Sequence, residues 1–183
     1  MLKDKAIIIT SNEPWGDIWY TKHNYAFELS KSNMVFFVNP PNGWRVGLKK
    51  GYSIQEEKIT KNLSVLSYTN YLPLLNFKHR GTTDPYFTNR INNYFISKKL
   101  NQFIKRKGFS SFYFWSFDPL RLYNPELLNS SLSIFHCADQ HWLNSFGTHM
   151  LCKKCDLLFL TSEHLIEEYK EFDIPKHVVP HGI

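Results

Sequence analysis

The sequence predicts an α/β domain of the Rossmann-like, doubly wound type over residues 1–183, with a parallel sheet in the order 3-2-1-4-5-6-7 and helices on both faces. Short apolar runs of strand length alternate with segments whose apolar residues recur at helical spacing. Several runs are apolar at almost every position, as parallel strands buried on both faces are. With 43% apolar and 16% aromatic side chains, the 183 residues suffice for one large core.

The first strand is predicted at residues 5–10 (KAIIIT), and it leads into a loop at 11–17. A strand, a glycine-containing loop and a helix form the usual start of a doubly wound domain. Gly16 is the loop's one glycine, so the dinucleotide fingerprint G-x-G-x-x-G is absent, which argues against a nicotinamide or flavin dehydrogenase. A helix with Tyr25 and Ala26 on its inner face and a second strand at 34–39 follow.

The region from Pro40 to Thr83 contains a turn signal at 40–43 and one alternating strand at 63–68, between long irregular segments. Long loops at the strand ends of an α/β domain are where binding specificity is built. The candidate ligand contacts in these loops are Trp44, Arg45, Tyr71, His79 and Arg80.

A long helix is predicted from Asp84-Pro85 to Lys107, ended by Gly108. One face of this helix is apolar and the other is basic. Such a helix either covers a sheet or lies on an anionic membrane surface. The first interpretation is favoured because a doubly wound sheet needs covering helices.

Two further buried strands are predicted at 112–116 and 132–137. A polar cluster follows the second of them, with Asp139 and His141 two residues apart. Residues directly after a parallel strand line the crevice at the strand ends. Asp139 and His141 are therefore candidate site residues.

The end of the chain predicts a β-α-β unit. An apolar strand at 156–161 is followed by Ser162, a candidate N-cap, and by a helix that Pro175 terminates. A short strand at 177–179 then leads to the exit Pro180-His181-Gly182-Ile183, where a glycine can adopt the positive φ that a tight exit requires.

This unit, CDLLFLTSE followed by PHGI, resembles the last β-α-β of the N-terminal domain in GT-B glycosyltransferases, especially family 4, where an ADLV…TSE strand and helix lead to a PNG(V/I) exit. The run from Phe112 to Ile183 resembles the subgroup that includes the teichuronic-acid type transferases. Their Y.C.D pattern corresponds here to FHCAD, which keeps Cys137-x-Asp139 and replaces the tyrosine with Phe135.

The resemblance implies that residues 1–183 are the acceptor-side half of a glycosyltransferase, that the C-terminal nucleotide-sugar domain is missing, and that this half is inactive alone. It implies a catalytic or substrate-positioning role for Asp139. The substrate-binding residues that it implies are Trp15, Gly16, His23, His141, Ser162, His181 and Gly182. A plain helix cap remains the alternative interpretation of Ser162.

The substrates that the resemblance implies are a nucleotide-sugar donor and a glycan or lipid-linked acceptor in cell-surface polysaccharide synthesis, with no separate cofactor. Two alternatives stay open: a non-catalytic Rossmann-like binding domain, and a fragment of a GT-B-fold sugar epimerase. The epimerase is disfavoured because the sequence lacks a characteristic set of catalytic carboxylates.

The net charge of +6 does not by itself indicate a nucleic-acid partner, because no zinc-finger, RNP or single-strand-binding signature accompanies it. We expect no nucleic acid; a peripheral membrane contact or an anionic acceptor explains the charge equally well. With neither a signal-peptide pattern nor a membrane-spanning run, a cytoplasmic protein is expected. A metal or redox role for Cys152 and Cys155 is disfavoured because no second ligand pair accompanies them.

Overall fold

The computed structural model describes residues 2–73, 86–137 and 145–180, with a central sheet and flanking helices. The strands are β1 (Ala6–Thr10), β2 (Met34–Val38), β3 (Gln55–Lys58), β4 (Leu63–Ser67), β5 (Phe112–Ser116), β6 (Ser130–Cys137), β7 (Leu157–Leu160) and β8 (Lys176–Val178). The helices are α1 (Thr21–Ser30), α2 (Trp44–Lys50), α3 (Tyr86–Arg106), α4 (Phe146–Lys154) and α5 (Glu163–Glu168), with a 3-10 turn at Pro125–Leu127.

The sheet has the order β3-β4-β2-β1-β5-β6-β7-β8, which confirms a Rossmann-like α/β fold. The seven predicted strands occur in the predicted relative order. The prediction of a purely parallel sheet is wrong, because β3 pairs antiparallel with β4 at one edge. The β3 sequence QEEK has no apolar residue, so a search for apolar runs misses it, and charged side chains are what an exposed edge strand carries.

The two faces of the sheet bury separate apolar cores, as the alternation of side chains along a strand requires. On β1, Ala6 and Ile8 face one core, and Ile7 and Ile9 face the other. The first core receives apolar side chains from α3, α4 and α5, whereas the second receives Ala26 of α1. Each fully buried Ile or Phe stabilises the fold by about 1.5–3 kcal/mol relative to an exposed one.

The chain builds the sheet outward from β1 on one side and then returns to build it outward from β5 on the other side. From β1 it runs through α1 to β2 and then to β4, and α3 carries it back to β5 on the other side of β1. The helix α3 ends where Gly108 adopts a φ of 90° and its N–H bonds to the Lys105 carbonyl. In open α/β sheets, ligands bind outside the carboxyl ends of the strands at such a reversal.

Across the described parts of the chain, the helices are too short or too polar to cross a membrane.

Candidate functional site

The crevice at the reversal begins where β1 and β5 end side by side. Thr10 and Ser116 are partners in the parallel register, and the Thr10 hydroxyl donates to Ser116 Oγ over 3.1 Å. Both side chains are buried. Beyond this pair, β1 leads into the loop at 11–20 and β5 leads into the loop at 117–124, so both loops begin at the same edge of the sheet, and the space between them is called the crevice here.

The loop after β1 carries an aromatic rim. The Trp15 N–H donates to Asn39 Oδ1 over 2.8 Å, and the Trp15 ring lies 5.1 Å from the Phe37 ring of β2. Trp19 packs on Trp15 at 5.2 Å and donates its indole N–H to the Gly16 carbonyl over 3.1 Å. The rim is exposed, because Trp19 and its neighbours Ile18 and Tyr20 all face solvent.

His23 is buried beneath this loop. Its Nδ1 accepts the Tyr20 N–H over 3.0 Å, and its Nε2 lies 3.1 Å from the Pro14 carbonyl oxygen. An Nδ1 that accepts and an Nε2 that donates define the neutral ring. Burial, helped by the charge of Lys22, lowers the pKa of His23 below 6.5, although the backbone contacts at Pro14 and Tyr20 oppose the shift. His23 therefore fixes the loop at neutral pH in its uncharged form.

Lys22 braces the same loop from one side. Its side chain forms an ion pair with Glu13 and donates to the Asn12 side chain. Ser11 adds a further link, because its hydroxyl donates to the Glu13 carbonyl over 2.6 Å. These contacts hold the backbone on both sides of Gly16, whose own surroundings are open.

The loop after β5 contributes a buried ion pair. Asp118 Oδ2 accepts from Arg121 Nη1 over 2.6 Å, and Asp118 Oδ1 accepts the Leu120 N–H over 2.9 Å. The Asp118 side chain is 2% exposed and that of Arg121 is 21% exposed. Burial works to lower the pKa of Arg121, but the Asp118 carboxylate outweighs burial and leaves that pKa raised. Asp118 thus orients a guanidinium that is partly accessible, although its Nε is buried.

Asparagines of α3 join the loops after β4 and β5. The Asn92 side chain accepts the Leu72 N–H over 2.9 Å and donates to the Leu72 carbonyl over 3.0 Å. Asn93 accepts the Tyr123 N–H over 3.0 Å and donates to the Asn89 carbonyl over 2.8 Å. Asparagine is a weak helix former, so its repetition in α3 reflects these bonds and not helix propensity. This signal was missed in the sequence.

A cavity of about 10 Å³ lies behind Arg121, which is at the lower limit for one water molecule. Its lining is Tyr68, Asn70, Asn89, Asn92, Asn93, Ile96, Arg121 and Leu122. Burial, together with the Asp118 carboxylate, raises the pKa of Tyr68, so its hydroxyl stays protonated at neutral pH. The cavity is too small for a sugar.

An aromatic cluster extends from the crevice along the face that α1 covers in part. Phe117 stacks on His136 with ring centres 4.6 Å apart, and Trp115 lies 6.0 Å from His136 at an interplanar angle of 13°. Tyr25 of α1 completes the cluster, 5.1 Å from Trp115. The FYFWS run indicates a buried strand, but the position of its rings beside the crevice depends on the sheet order.

The residues predicted for the site fall into separate groups. Trp15, Gly16 and His23 lie together, with the rings of Trp15 and His23 5.4 Å apart. Ser162 is exposed at the start of α5, and its side chain makes no cap hydrogen bond. Since β7 is three strands from β1, Ser162 lies roughly 14 Å across the sheet from this group.

Other predicted residues lie outside the described ranges: Asp139, His141, His181 and Gly182, together with His79 and Arg80. The strand before Asp139 is β6, and only β5 separates β6 from β1. A shared crevice for Asp139 and Trp15 stays a prediction.

The cysteines of the C-x-x-C sequence pack in the core. Cys152 and Cys155 are both buried, and burial raises the pKa of Cys155 to about 12. Both thiols are therefore protonated at neutral pH, unlike reactive or metal-binding thiolates. Within the described residues, no group of three or more His, Cys, Asp or Glu side chains is arranged to hold a metal ion.

The sequence matches no protein-family model, and it matches no curated protein. The described residues form an α/β domain with a Rossmann-like, mostly parallel sheet, and the crevice between the loops after β1 and β5 is its candidate functional site.

Proposed function

We propose that this chain is the acceptor-side domain of a GT-B-fold glycosyltransferase, which moves a sugar from a nucleotide-sugar to a glycan or lipid-linked acceptor. In this proposal, a second domain that follows the exit at 180–183 carries most of the nucleotide-sugar site. The acceptor occupies the crevice between the loops after β1 and β5.

The observation that carries the proposal is the chemistry of the two loops. On one side is the exposed aromatic rim of Trp19 and its neighbours, which suits the apolar face of a sugar ring. On the other side is Arg121, oriented by Asp118, whose free N–H groups suit hydroxyl or phosphate oxygens. Both loops are braced from within, and preorganisation of this kind favours ligand binding.

The C-terminal part of the chain supports the same proposal. The stretch with the closest resemblance to GT-B enzymes, CDLLFLTSE, forms β7 and the start of α5, and β8 follows in parallel pairing with β7. The unit lies at one edge of the sheet, where a chain continuing beyond the PHGI exit could leave the domain without crossing the crevice.

The reaction proposed for the full enzyme is a substitution at the anomeric carbon of the donor sugar. The acceptor oxygen forms a bond to that carbon, the bond to the diphosphate breaks, and the nucleoside diphosphate leaves with the electron pair. The acceptor hydroxyl loses its proton as the new bond forms, and Asp139 is the proposed group that accepts or positions it. The crevice serves to orient the acceptor and to keep water from the reacting carbon.

A non-catalytic Rossmann-like binding domain is the second candidate. It would use the same crevice and the same aromatic rim but would need neither Asp139 nor a donor domain. The epimerase alternative predicts nucleotide-sugar binding without any need for an acceptor.

Acceptor binding tests the proposal directly. We expect the 183-residue chain to bind members of a glycan array, and amide NMR shifts with a bound glycan to change at Gly16, Trp19 and Arg121. Trp19→Ala should weaken binding about tenfold because it removes exposed stacking surface. Ile59→Ala, in the turn between β3 and β4 at the opposite edge of the sheet, is the control for loss of an exposed apolar side chain and should bind normally. Shifts confined to other parts of the domain would contradict the proposed site.

A turnover assay tests the two-domain form of the proposal. We expect no sugar transfer from a panel of nucleotide-sugars by residues 1–183 alone, as measured by mass spectrometry of the acceptor. In the proposal most of the nucleotide-sugar site lies on the second domain, and the loop at 11–17 lacks the glycine-rich sequence that cradles a diphosphate. Transfer by this chain alone would show that it holds its own donor site, which would overturn the two-domain proposal.

A further inference from the structure

The net positive charge of the protein is concentrated on two helices. Together α2 and α3 carry eight of the 22 basic side chains and none of the 16 acidic ones. Subtracting these eight charges from the total of +6 leaves −2 for the rest of the chain. The excess charge is therefore a local property of these helices.

The two helices are joined by stacked aromatic rings. On the α2 side, the Tyr52 ring packs so closely on Gly47 that a Cβ there would lie 2.2 Å from it. Tyr52 stacks on Tyr71 with ring centres 4.5 Å apart, and Tyr71 lies 4.8 Å from Phe95 of α3. Lys99 of α3 donates to the Tyr52 carbonyl. The exposed side chains of α2 and of residues 87–98 of α3 thus belong to one connected region, called here the basic aromatic surface.

This surface also exposes large apolar side chains. The exposed fractions are 67% for Leu48, 69% for Phe87, 49% for Tyr94 and 42% for Phe95. On α3 they alternate with exposed Arg90 and Lys98. Large apolar side chains exposed in one region are a feature of interaction sites.

We propose that the basic aromatic surface docks the protein on an anionic lipid bilayer. Lysine and arginine are attracted to anionic headgroups, while Leu, Phe and Tyr enter the boundary between headgroups and acyl chains. A nucleic acid would satisfy the charge and could stack on the aromatic rings, but it would leave Leu48 without an apolar environment. The proposal depends on this surface alone and not on glycosyl transfer, so glycan binding and bilayer binding can fail separately.

Vesicle flotation with the 183-residue chain tests the proposal. We expect binding to vesicles of phosphatidylcholine with one third phosphatidylserine, and at least tenfold weaker binding to phosphatidylcholine alone. The triple variant Lys49→Gln, Arg90→Gln, Lys98→Gln should bind anionic vesicles about a hundredfold more weakly, because each basic residue near the surface contributes about fivefold. The control is Lys3→Gln, Lys61→Gln, Lys153→Gln, which makes the same change in net charge at exposed sites elsewhere and should bind almost normally.

A second pair of variants tests insertion. Leu48→Ser with Phe87→Ser removes the two most exposed apolar side chains of the surface and should weaken binding at least tenfold. Leu2→Ser with Ile59→Ser is its control, since these exposed residues lie elsewhere. Equal melting temperatures confirm that all four variants are folded.

Three results would overturn the proposal. Equal loss in both triple variants would mean that only net charge matters. Undiminished binding of the Leu48→Ser, Phe87→Ser variant would mean that the bilayer interior is not entered. Displacement of the protein from vesicles by a single-stranded oligonucleotide, with unchanged oligonucleotide affinity in that variant, would identify a nucleic-acid interface instead.

Discussion

At the scale of single residues, the side chains beside the crevice mostly hold backbone in place. His23 is the clearest case, because its two ring nitrogens bond to backbone groups at both ends of one loop. In the sequence, only the resemblance to GT-B enzymes makes His23 a candidate for substrate binding. The burial of the ring indicates that any effect on the substrate is transmitted through the loop.

The pKa of His23 predicts a pH dependence of stability. The folded state lowers this pKa below 6.5, so the unfolded state binds more protons as the pH falls through the range below about 6.5. Stability from the neutral ring is therefore complete above the unfolded pKa and is lost on acidification. We expect the free energy of unfolding, from urea titrations at pH 7.5 and 5.5, to decrease at up to about 1.4 kcal/mol per pH unit.

His23→Gln identifies the residue responsible. Glutamine at this helix position can still accept the Tyr20 N–H, as in a standard capping box, but it does not titrate. The variant should lose much of the pH dependence, whereas His177→Gln at an exposed site should keep it. An unchanged slope in His23→Gln would show that another group titrates.

Asp118→Asn should be strongly destabilising because it leaves the charge of Arg121 without its partner. Breaking a buried ion pair costs about 3–5 kcal/mol, and the partial exposure of Arg121 favours the lower end of that range. Urea unfolding measures the loss. The double variant with Arg121→Gln should recover part of it; additive losses would mean that the two side chains act independently.

At the scale of elements, sequence patterns predict the strands and helices whose positions depend on their own residues. Buried strands such as β2 and β5 are continuous apolar runs, so their positions follow from composition alone. The edge strand β3 is polar, and it forms by pairing with the free edge of β4. The helix α2 is also a product of tertiary contact, since its seven residues include Gly47, which leaves room for the ring of Tyr52. Neither element has a local signal.

The contact between α4 and the loop after β5 predicts an unusually costly glycine substitution. A Cβ at Gly147 would lie 1.6 Å from the backbone oxygen of Pro119, which cannot move without displacing the loop. Gly147→Ala should therefore destabilise the protein by about 3 kcal/mol or prevent folding, although alanine is normally the better helix residue.

Gly16→Ala provides the matched comparison. No atom lies within 4 Å of a Cβ at Gly16, so this change should alter the melting temperature little. Any loss of ligand binding in Gly16→Ala would then report on the crevice itself. A tolerated Gly147→Ala, with normal urea unfolding, would mean that α4 does not press on this loop.

At the scale of the whole molecule, the strand order was the most informative prediction, because it determines which loops meet. The reversal between β1 and β5 follows from the order of the predicted strands, and it brings the loops that contain Trp15 and Arg121 to the same edge of the sheet. The ion pair of Asp118 and Arg121 could not be predicted, since a loop Asp and an Arg three residues later are ordinary surface residues. Their burial depends on the tertiary fold, which places Arg121 beside Tyr68 and the asparagine-rich start of α3.

The functional proposal for the whole molecule depends most on Asp139, which follows the strand two places from β1. If Asp139 binds the acceptor, Asp139→Asn should weaken glycan binding about tenfold to a hundredfold, since a hydrogen bond to a charged group is worth about 1.5–3 kcal/mol. Its melting temperature should be unchanged, because asparagine preserves shape and capping ability. If Asp139 only caps its own loop or helix, Asp139→Ala should instead lose about 1 kcal/mol of stability and bind glycans normally. Calorimetric titration and thermal melting of both variants separate these outcomes, and normal glycan affinity in Asp139→Asn would remove Asp139 from the proposed site.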